Sequence, residues 1–180
     1  LNPRANSFLL ALANHRKGLL ASWLDLSTGR FEIAGPEEAA DLLALLESLA
    51  PREVIVAEDF DAGDGDLAHF LRGPPLTRVE KEDFLAAEPG AVLTSGLGVL
   101  SLDGFGVAAD HPALVPAAGL WRYAEAMLRG KPSNVTRLRE HRLGHQVLVD
   151  PATQRNLELF RSSAGNRQGS LLACVDNTAT

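Results

Sequence analysis

The sequence is poor in cysteine and in long apolar stretches, and both shortages exclude classes of protein. It contains a single cysteine, Cys174, so no disulfide can form within the chain, and a reducing, cytoplasmic location is expected. No apolar run approaches the ~20 residues that a membrane-spanning helix needs. The first residues lack an apolar stretch followed by a small-residue cleavage site, so no secretory signal is predicted there. An initiator methionine is also missing, which favours an internal segment of a longer protein.

Positive charge is scarce as well. Lys and Arg total 17 against 23 Asp and Glu, which gives a formal net charge of −6. Because DNA phosphates are bound by positive surfaces, this balance argues against strong duplex binding by the chain alone. The one basic cluster comprises Arg137, Arg139, Arg142, His141 and His145, and we expect these side chains to pair with acidic neighbours.

The first half of the chain has the pattern of a sheet. Residues 7–14, 19–26 and 30–34 are apolar or alternating runs joined by short polar connections, which predicts an antiparallel meander of three strands. A helix is predicted from Pro36 to Pro51, and its apolar stripe comprises Ala39, Leu42, Leu43, Leu46 and Leu49. Further elements follow: a strand at 53–57, a helix at 67–72, a strand at 76–79 and a brief helix at 82–87.

This order of elements predicts an α/β fold of the ribonuclease-H-like type. In that fold a crossover helix makes the later strands parallel to the first, so a mixed sheet carries helices on both faces. Residues 104–116 hold several glycines and prolines, which predicts a boundary near residue 112. Beyond it we expect an incomplete α-helical segment. Its helices are predicted at 117–129 and from Asp150, as N-cap, with Pro151 in the first turn.

Ribonuclease-H-like folds include nucleases, which makes a nuclease the enzyme hypothesis to test. Such nucleases hold two metal ions with carboxylates on the first and fourth strands. Glu58 and Asp59 follow the predicted fourth strand, and Asp25 lies on the second. The first strand, however, carries no carboxylate, so the metal site lacks its anchor. The chain also contains no G-x-x-x-x-G-K-[ST] loop for nucleoside triphosphates. We therefore expect no catalytic, metal or cofactor site in this chain.

Several short stretches occur in an informative order. Residues 2–7 read NPRANS and residues 24–31 read LDLSTGRF. Gly104-Phe105-Gly106-Val107 leads to a helix that begins Ala117-Ala118-Gly119. The last third contains DPATQRNLE from Asp150 and GSLLACVDNTAT at residues 169–180. Together these stretches resemble the MutS family of DNA mismatch-recognition ATPases, and the residues that carry the clearest motif are Asp150, Thr153, Arg155, Asn156, Leu157 and Glu158.

The resemblance implies a division of the chain and a role. Residues 1–112 would form the ribonuclease-H-like connector domain, and residues 113–180 the incomplete start of the core, or lever, domain. In the family the mismatch-reading and ATPase domains lie elsewhere, so this segment would be a non-catalytic scaffold. It would join those two ends and dock the partner MutL. The whole protein would act in mismatch repair as a homodimer on mismatched DNA, with ATP and Mg²⁺ as cofactors, in the cytoplasm and without membrane contact.

Two alternatives remain open. One is a metal-dependent nuclease or resolvase of the same fold, and the other is the connector of a MutS paralogue that acts in recombination. For the docking role we expect the segment 82–92 to be the partner interface. There Glu82, Asp83 and Glu88 surround Phe84 and Leu85, so charges would rim a small apolar centre. Pro89 and Gly90 are predicted to break the helix and leave a surface loop.

Overall fold

The computed structural model describes residues 7–143, and these form one α/β unit around a six-stranded sheet of order β5-β4-β1-β2-β3-β6. The strands are β1 (Phe8–His15), β2 (Gly18–Asp25), β3 (Arg30–Glu37), β4 (Glu53–Ala57), β5 (Leu76–Val79) and β6 (Arg139–Glu140). The helices are α1 (Ala39–Leu49), α2 (Asp66–Phe70), α3 (Lys81–Phe84), α4 (Pro89–Leu97) and α5 (Leu114–Leu128), with a 3₁₀ turn at Asp103–Phe105.

The sheet has the predicted direction of strands. β1 pairs antiparallel with β2, from Phe8 opposite Asp25 to His15 opposite Gly18, and β2 pairs antiparallel with β3. After α1 crosses over, β4 lies parallel to β1, and β5 lies parallel to β4. A meander followed by parallel crossovers is the ribonuclease-H-like arrangement, so the predicted fold class is confirmed at the level of sheet topology.

Both faces of the sheet are covered, which explains why β1 is a continuous apolar run. On one face Phe8, Leu10 and Leu12 pack with the buried leucines of α1. On the other face Leu9, Ala11 and Ala13 join a second core that contains residues of α3, α4 and α5. Successive residues of a strand point to opposite faces, so the six apolar residues of β1, Phe8 to Ala13, supply both cores.

Two helices begin at positions that the sequence prediction did not give, and in both cases the role of a proline was predicted wrongly. Pro36 lies at the end of β3 rather than in the first turn of a helix, and α1 begins at Ala39. Pro89 does not break a helix but begins one, α4, at a position where its missing N–H costs nothing. The short strand β6, which pairs parallel with β3, was not predicted.

The predicted domain boundary after residue 112 does not match the structure. The compact unit runs to Leu143, and α5 belongs to its core. Leu120 and Trp121 are at most 1% exposed, although the sequence prediction placed this helix in a separate segment. The reason is that residues 106–113 of the Gly- and Pro-rich stretch form a connection within the domain, after which α5 covers the sheet. A second unit, residues 144–180, lies outside the described residues.

Glycine allows α5 to approach its neighbours closely. A Cβ at Gly96 of α4 would lie 2.4 Å from Cε2 of Trp121, and a Cβ at Gly119 of α5 would lie 2.9 Å from Cδ2 of Phe84. Each glycine therefore faces a buried aromatic ring across a helix–helix contact. Trp121 in turn packs on Phe31 of β3 with the ring centroids 5.9 Å apart. These contacts join α3, α4 and α5 into one layer over the sheet.

Candidate partner surface

The carboxylates of the nuclease hypothesis lie at opposite ends of the sheet. Asp25 ends β2 opposite Phe8, the first residue of β1, whereas Glu58 follows β4, whose Val56 is opposite Leu12. At ~3.3 Å per residue, this register separates Asp25 from Glu58 by roughly 20 Å along the strands. Among residues 7–143, no group of three or more His, Cys, Asp or Glu side chains is placed to hold a metal ion.

Asp25 instead organises the turn between β2 and β3. Its Oδ1 accepts hydrogen bonds from the backbone N–H and the hydroxyl of Ser27, at 2.8 and 2.6 Å, and its Oδ2 accepts one from the Thr28 hydroxyl at 2.9 Å. Burial on its own would raise the pKa of Asp25, but the hydrogen bonds from Ser27 and Thr28 outweigh it and the pKa lies below its usual value. This carboxylate is therefore held as an anion by the turn.

The turn also explains the stretch LDLSTGRF that carries part of the family resemblance. Gly29 has φ +72°, and a Cβ there would lie 2.2 Å from the carbonyl oxygen of Asn134. The Asn134 side chain donates a hydrogen bond to the carbonyl oxygen of Leu26 at 2.5 Å. These residues therefore fix the segment before β6 against the β2–β3 turn. The motif residues from Asp150 to Glu158 lie outside the described residues.

The predicted partner interface needs a correction at its centre. Glu82, Asp83 and Glu88 are exposed, and so is Leu85, with 36% of its surface accessible. Phe84 is 0% exposed, because α3 turns this ring inward onto Gly119 of α5. Phe84 is thus a core residue that holds α3 in place. Of the proposed apolar centre, only Leu85 reaches the surface.

Two cavities flank α3. One of about 180 Å³ lies where β1 and β4 end, and Asn14, Asp59, Lys81 and Leu85 are among its lining residues. The other, of about 350 Å³, opens between Val79 and Asp83 on one side and Gly119 and Tyr123 of α5 on the other. The acidic side chains on the outer face of α3 could bind cationic side chains of a partner. The two cavities beside the helix could hold small apolar side chains of the same partner segment.

Electrostatic contacts hold this surface in place. Lys81 lies 2.6 Å from Asp59 in the loop after β4, and the hydrogen bond from Lys81 lowers the pKa of the Asp59 carboxyl. Arg122 of α5 donates to the carbonyl oxygen of Asp83 at 3.2 Å. Neither cation forms an ion pair with the carboxylate of Glu82 or Asp83 among the described residues, so these two side chains keep their charges exposed. The surface around α3 is therefore acidic.

The basic cluster behaves only partly as predicted. Arg142 pairs with Glu140 at 3.0 Å, and His141 Nδ1 lies 3.9 Å from Glu32. Arg137 and Arg139 are exposed and form no ion pair within the part of the chain that the structure describes. His145 falls outside that part. Among residues 7–143, two guanidinium groups beside the β2–β3 turn thus have no ion-pair partner.

Sheet topology and core together define a ribonuclease-H-like α/β domain whose sheet carries no assembled metal site in the described residues. The family model described as MutS domain II matches residues 7–138. The chain belongs to this family, and the predicted resemblance is confirmed.

Similar proteins cover the whole chain. The chain is 34% identical to the DNA mismatch repair protein MutS of Nitrobacter hamburgensis over 186 aligned residues, 100% of this chain and 20% of that protein. It is 36% identical to the MutS protein of Symbiobacterium thermophilum, again over 100% of this chain and 21% of that protein. The chain therefore spans about a fifth of the length of the relatives it matches.

A comparison with solved structures found a chain of RuvC. A chain of Thermus thermophilus RuvC, described as being in complex with a Holliday junction substrate, aligns with 19% identity and a TM-score of 0.41. The alignment covers 67% of this chain and 96% of that one.

Among the helices between residues 7 and 143, none is long and apolar enough to cross a membrane.

Proposed function

We propose that this chain is the non-catalytic connector of a DNA mismatch-recognition ATPase and that it docks the partner MutL. The observation that carries the proposal is the match to MutS domain II over residues 7–138, together with relatives named DNA mismatch repair protein MutS along the whole chain. The parent protein would bind mismatched DNA as a cytoplasmic homodimer, using ATP and Mg²⁺ in domains outside this chain. The names of these relatives favour repair over recombination.

The two-faced core supports a scaffold role. A sheet that is packed on both sides by helices is stiff, because close-packed interiors transmit displacement with little loss. The β1 strand, where a nuclease of this fold would place a carboxylate, contributes only apolar residues to the two cores at its centre. A stiff, non-catalytic domain suits a segment that joins the mismatch-binding and ATPase domains of a longer protein.

The proposed docking surface is the outer face of α3 with Glu82, Asp83, Leu85 and Glu88. Exposed carboxylates around one exposed leucine favour a partner patch of basic residues with a small apolar pocket. Phe84 would act from below by fixing α3 on α5. The partner is expected to bind weakly, because the exposed apolar part is small and rim charges contribute more to association rate than to affinity.

Charge reversal tests this surface. A chain carrying Glu82→Lys and Glu88→Lys should lose capture by the N-terminal domain of a cognate MutL, measured by biolayer interferometry at low and physiological salt. The matched control carries Glu38→Lys and Glu47→Lys, two exposed positions at α1 on the opposite side of the sheet. Both variants should melt near the temperature of the parent chain. Equal capture by both variants would remove α3 from the proposal, and a parent chain that MutL does not capture would refute docking altogether.

A further inference from the structure

A third cavity lies away from α3, beside the β2–β3 turn. It measures about 400 Å³ and is lined by Thr28, Arg30, Glu32, Thr136, Arg137 and Arg139, among others. Its walls come from the start of β3 and from the segment that leads into β6. This size falls within the range of small-ligand pockets, roughly 300–1,000 Å³.

The cavity is positive although the chain is acidic. Three guanidinium groups, those of Arg30, Arg137 and Arg139, face one carboxylate, that of Glu32. Glu32 is fully engaged: it accepts two hydrogen bonds from Arg30, both at 2.9 Å, and one from the Trp23 indole N–H at 3.1 Å. The cavity therefore keeps a surplus of two positive charges, on a chain whose net charge is −6.

The fold brings these cations together by register. Glu32 of β3 is paired with Arg139 of β6, and paired residues of neighbouring strands share one face of a sheet. Arg30 precedes Glu32 by two positions on the same strand and so shares its face. The Arg30 guanidinium is also fixed, because its Cζ lies 5.5 Å above the centre of the Phe8 ring while two of its nitrogens bond to Glu32.

The walls of the cavity are held against each other. Asn134 bonds to the carbonyl oxygen of Leu26, and Gly29 lies so close to Asn134 that no side chain fits between them. Asp25 fixes the turn from below through Ser27 and Thr28. Arg137 and Arg139 therefore project from a braced segment. A preorganised site loses less entropy on binding a ligand than a loop that must first become ordered.

We propose that this cavity binds a phosphate group. Guanidinium groups present paired N–H donors that match two oxygens of one phosphate, and such charge-assisted hydrogen bonds are roughly twice as strong as neutral ones. Thr136 also lines the cavity and carries a hydroxyl group that can donate a hydrogen bond. A phosphate carries a charge of up to −2, which equals the surplus of the cavity. The ligand is either a free phosphate or the backbone phosphate of a nucleic acid, and this site is independent of docking at α3.

Nuclear magnetic resonance can test the site directly. The ¹⁵N-labelled chain is titrated at constant ionic strength with inorganic phosphate, and separately with a short matched DNA duplex, while arginine Nε–H and backbone amide signals are followed. We expect saturable shifts at Gly29, Arg30, Thr136, Arg137 and Arg139. If phosphate displaces the duplex from these signals, the natural ligand is the nucleic-acid backbone. If only inorganic phosphate shifts them, the ligand is a free phosphate.

Matched variants separate a built site from general attraction. Arg137→Ala with Arg139→Ala should weaken phosphate binding at least about tenfold, since hydrogen bonds to charged groups are stronger than those between neutral groups. Arg16→Ala with Arg72→Ala removes the same charge at two exposed positions that do not line the cavity and should leave affinity unchanged. If the first pair lowers stability, Thr136→Val serves as the neutral probe and should also weaken binding. Absent shifts with both ligands, or equal weakening by both arginine pairs, would overturn the proposal.

Discussion

Gly96 should be intolerant of the smallest possible substitution. A methyl group there would lie 2.4, 2.5 and 2.7 Å from three atoms of the Trp121 indole, Cε2, Nε1 and Cζ2. To reach ordinary contact at 3.4 Å, the ring or the helix would have to move by about 1 Å. Trp121 is 1% exposed and packs on Phe31, so it has no free space into which to retreat.

The expected cost follows from two opposing effects. Overpacking a dense core costs about 1–3 kcal/mol, while replacing Gly by Ala within a helix gains up to about 1 kcal/mol. Gly90 lies in the same helix, α4, and a Cβ there would be 3.8 Å from its nearest neighbour, so Gly90→Ala measures the helix gain alone. We expect Gly96→Ala to be less stable than Gly90→Ala by about 1–3 kcal/mol, which corresponds to a melting temperature lower by roughly 3–10 °C.

Urea denaturation followed by far-ultraviolet circular dichroism gives both free energies of unfolding on one scale. A double-mutant cycle then tests the cause. In a Trp121→Phe background the smaller ring leaves room for the methyl group, so Gly96→Ala should cost less there than in the parent chain. The indole Nε1 of Trp121 is also the one buried side-chain polar atom without a hydrogen-bond partner among the described residues, so its removal carries no bonding penalty. If the Gly96→Ala and Gly90→Ala variants have the same free energy of unfolding, the inference that α4 packs closely on α5 at Gly96 is refuted.

Three further predictions concern the turn, the last helix and catalysis. The folded pKa of Asp25 lies below its unfolded value of ~3.9, so the ionised carboxylate stabilises the fold above that pH, and this stabilisation is lost as the pH falls through the folded pKa. The difference in free energy of unfolding between the parent chain and Asp25→Asn, measured by urea titration, should therefore shrink below about pH 4 and stay constant above pH 6. Amide hydrogen exchange in the buried part of α5 should be as slow as in β1, and fast exchange of Leu120 and Trp121 would contradict their place in the core. With Mg²⁺ present the chain should cleave neither a Holliday junction nor an RNA–DNA hybrid, and cleavage that disappears in Glu58→Gln would restore the nuclease hypothesis.

Elements with a strong local pattern were predictable from sequence. The strands from β1 to β5 are apolar or alternating runs between turn residues, and their order sufficed for the sheet topology. β6 has only two residues, Arg139 and Glu140, and no apolar period; it exists because the edge of β3 offers unpaired backbone groups. α4 contains two internal glycines and one fully buried residue, Leu93, so tertiary packing rather than propensity makes it helical.

The same distinction applies to the surfaces. The exposure of Glu82, Asp83 and Glu88 follows from their charge, and the structure shows all three exposed. The burial of Phe84 could not be foreseen, because a four-residue helix has no periodicity from which to assign faces. The phosphate cavity depends on the pairing of β3 with β6, residues more than a hundred positions apart, and no local pattern reports such a contact.

The late position of α5 bears on how the chain is made. The meander β1–β3 is complete at Glu37, but one of its faces is covered by a helix that ends at Leu128. At ~5–20 residues per second, synthesis leaves that apolar face without its cover for roughly five to twenty seconds. During this interval the strands offer a binding site for chaperones and a route to aggregation. A shortened chain that stopped at residue 112 would lack α5 permanently, so any useful excision of this domain must retain this helix.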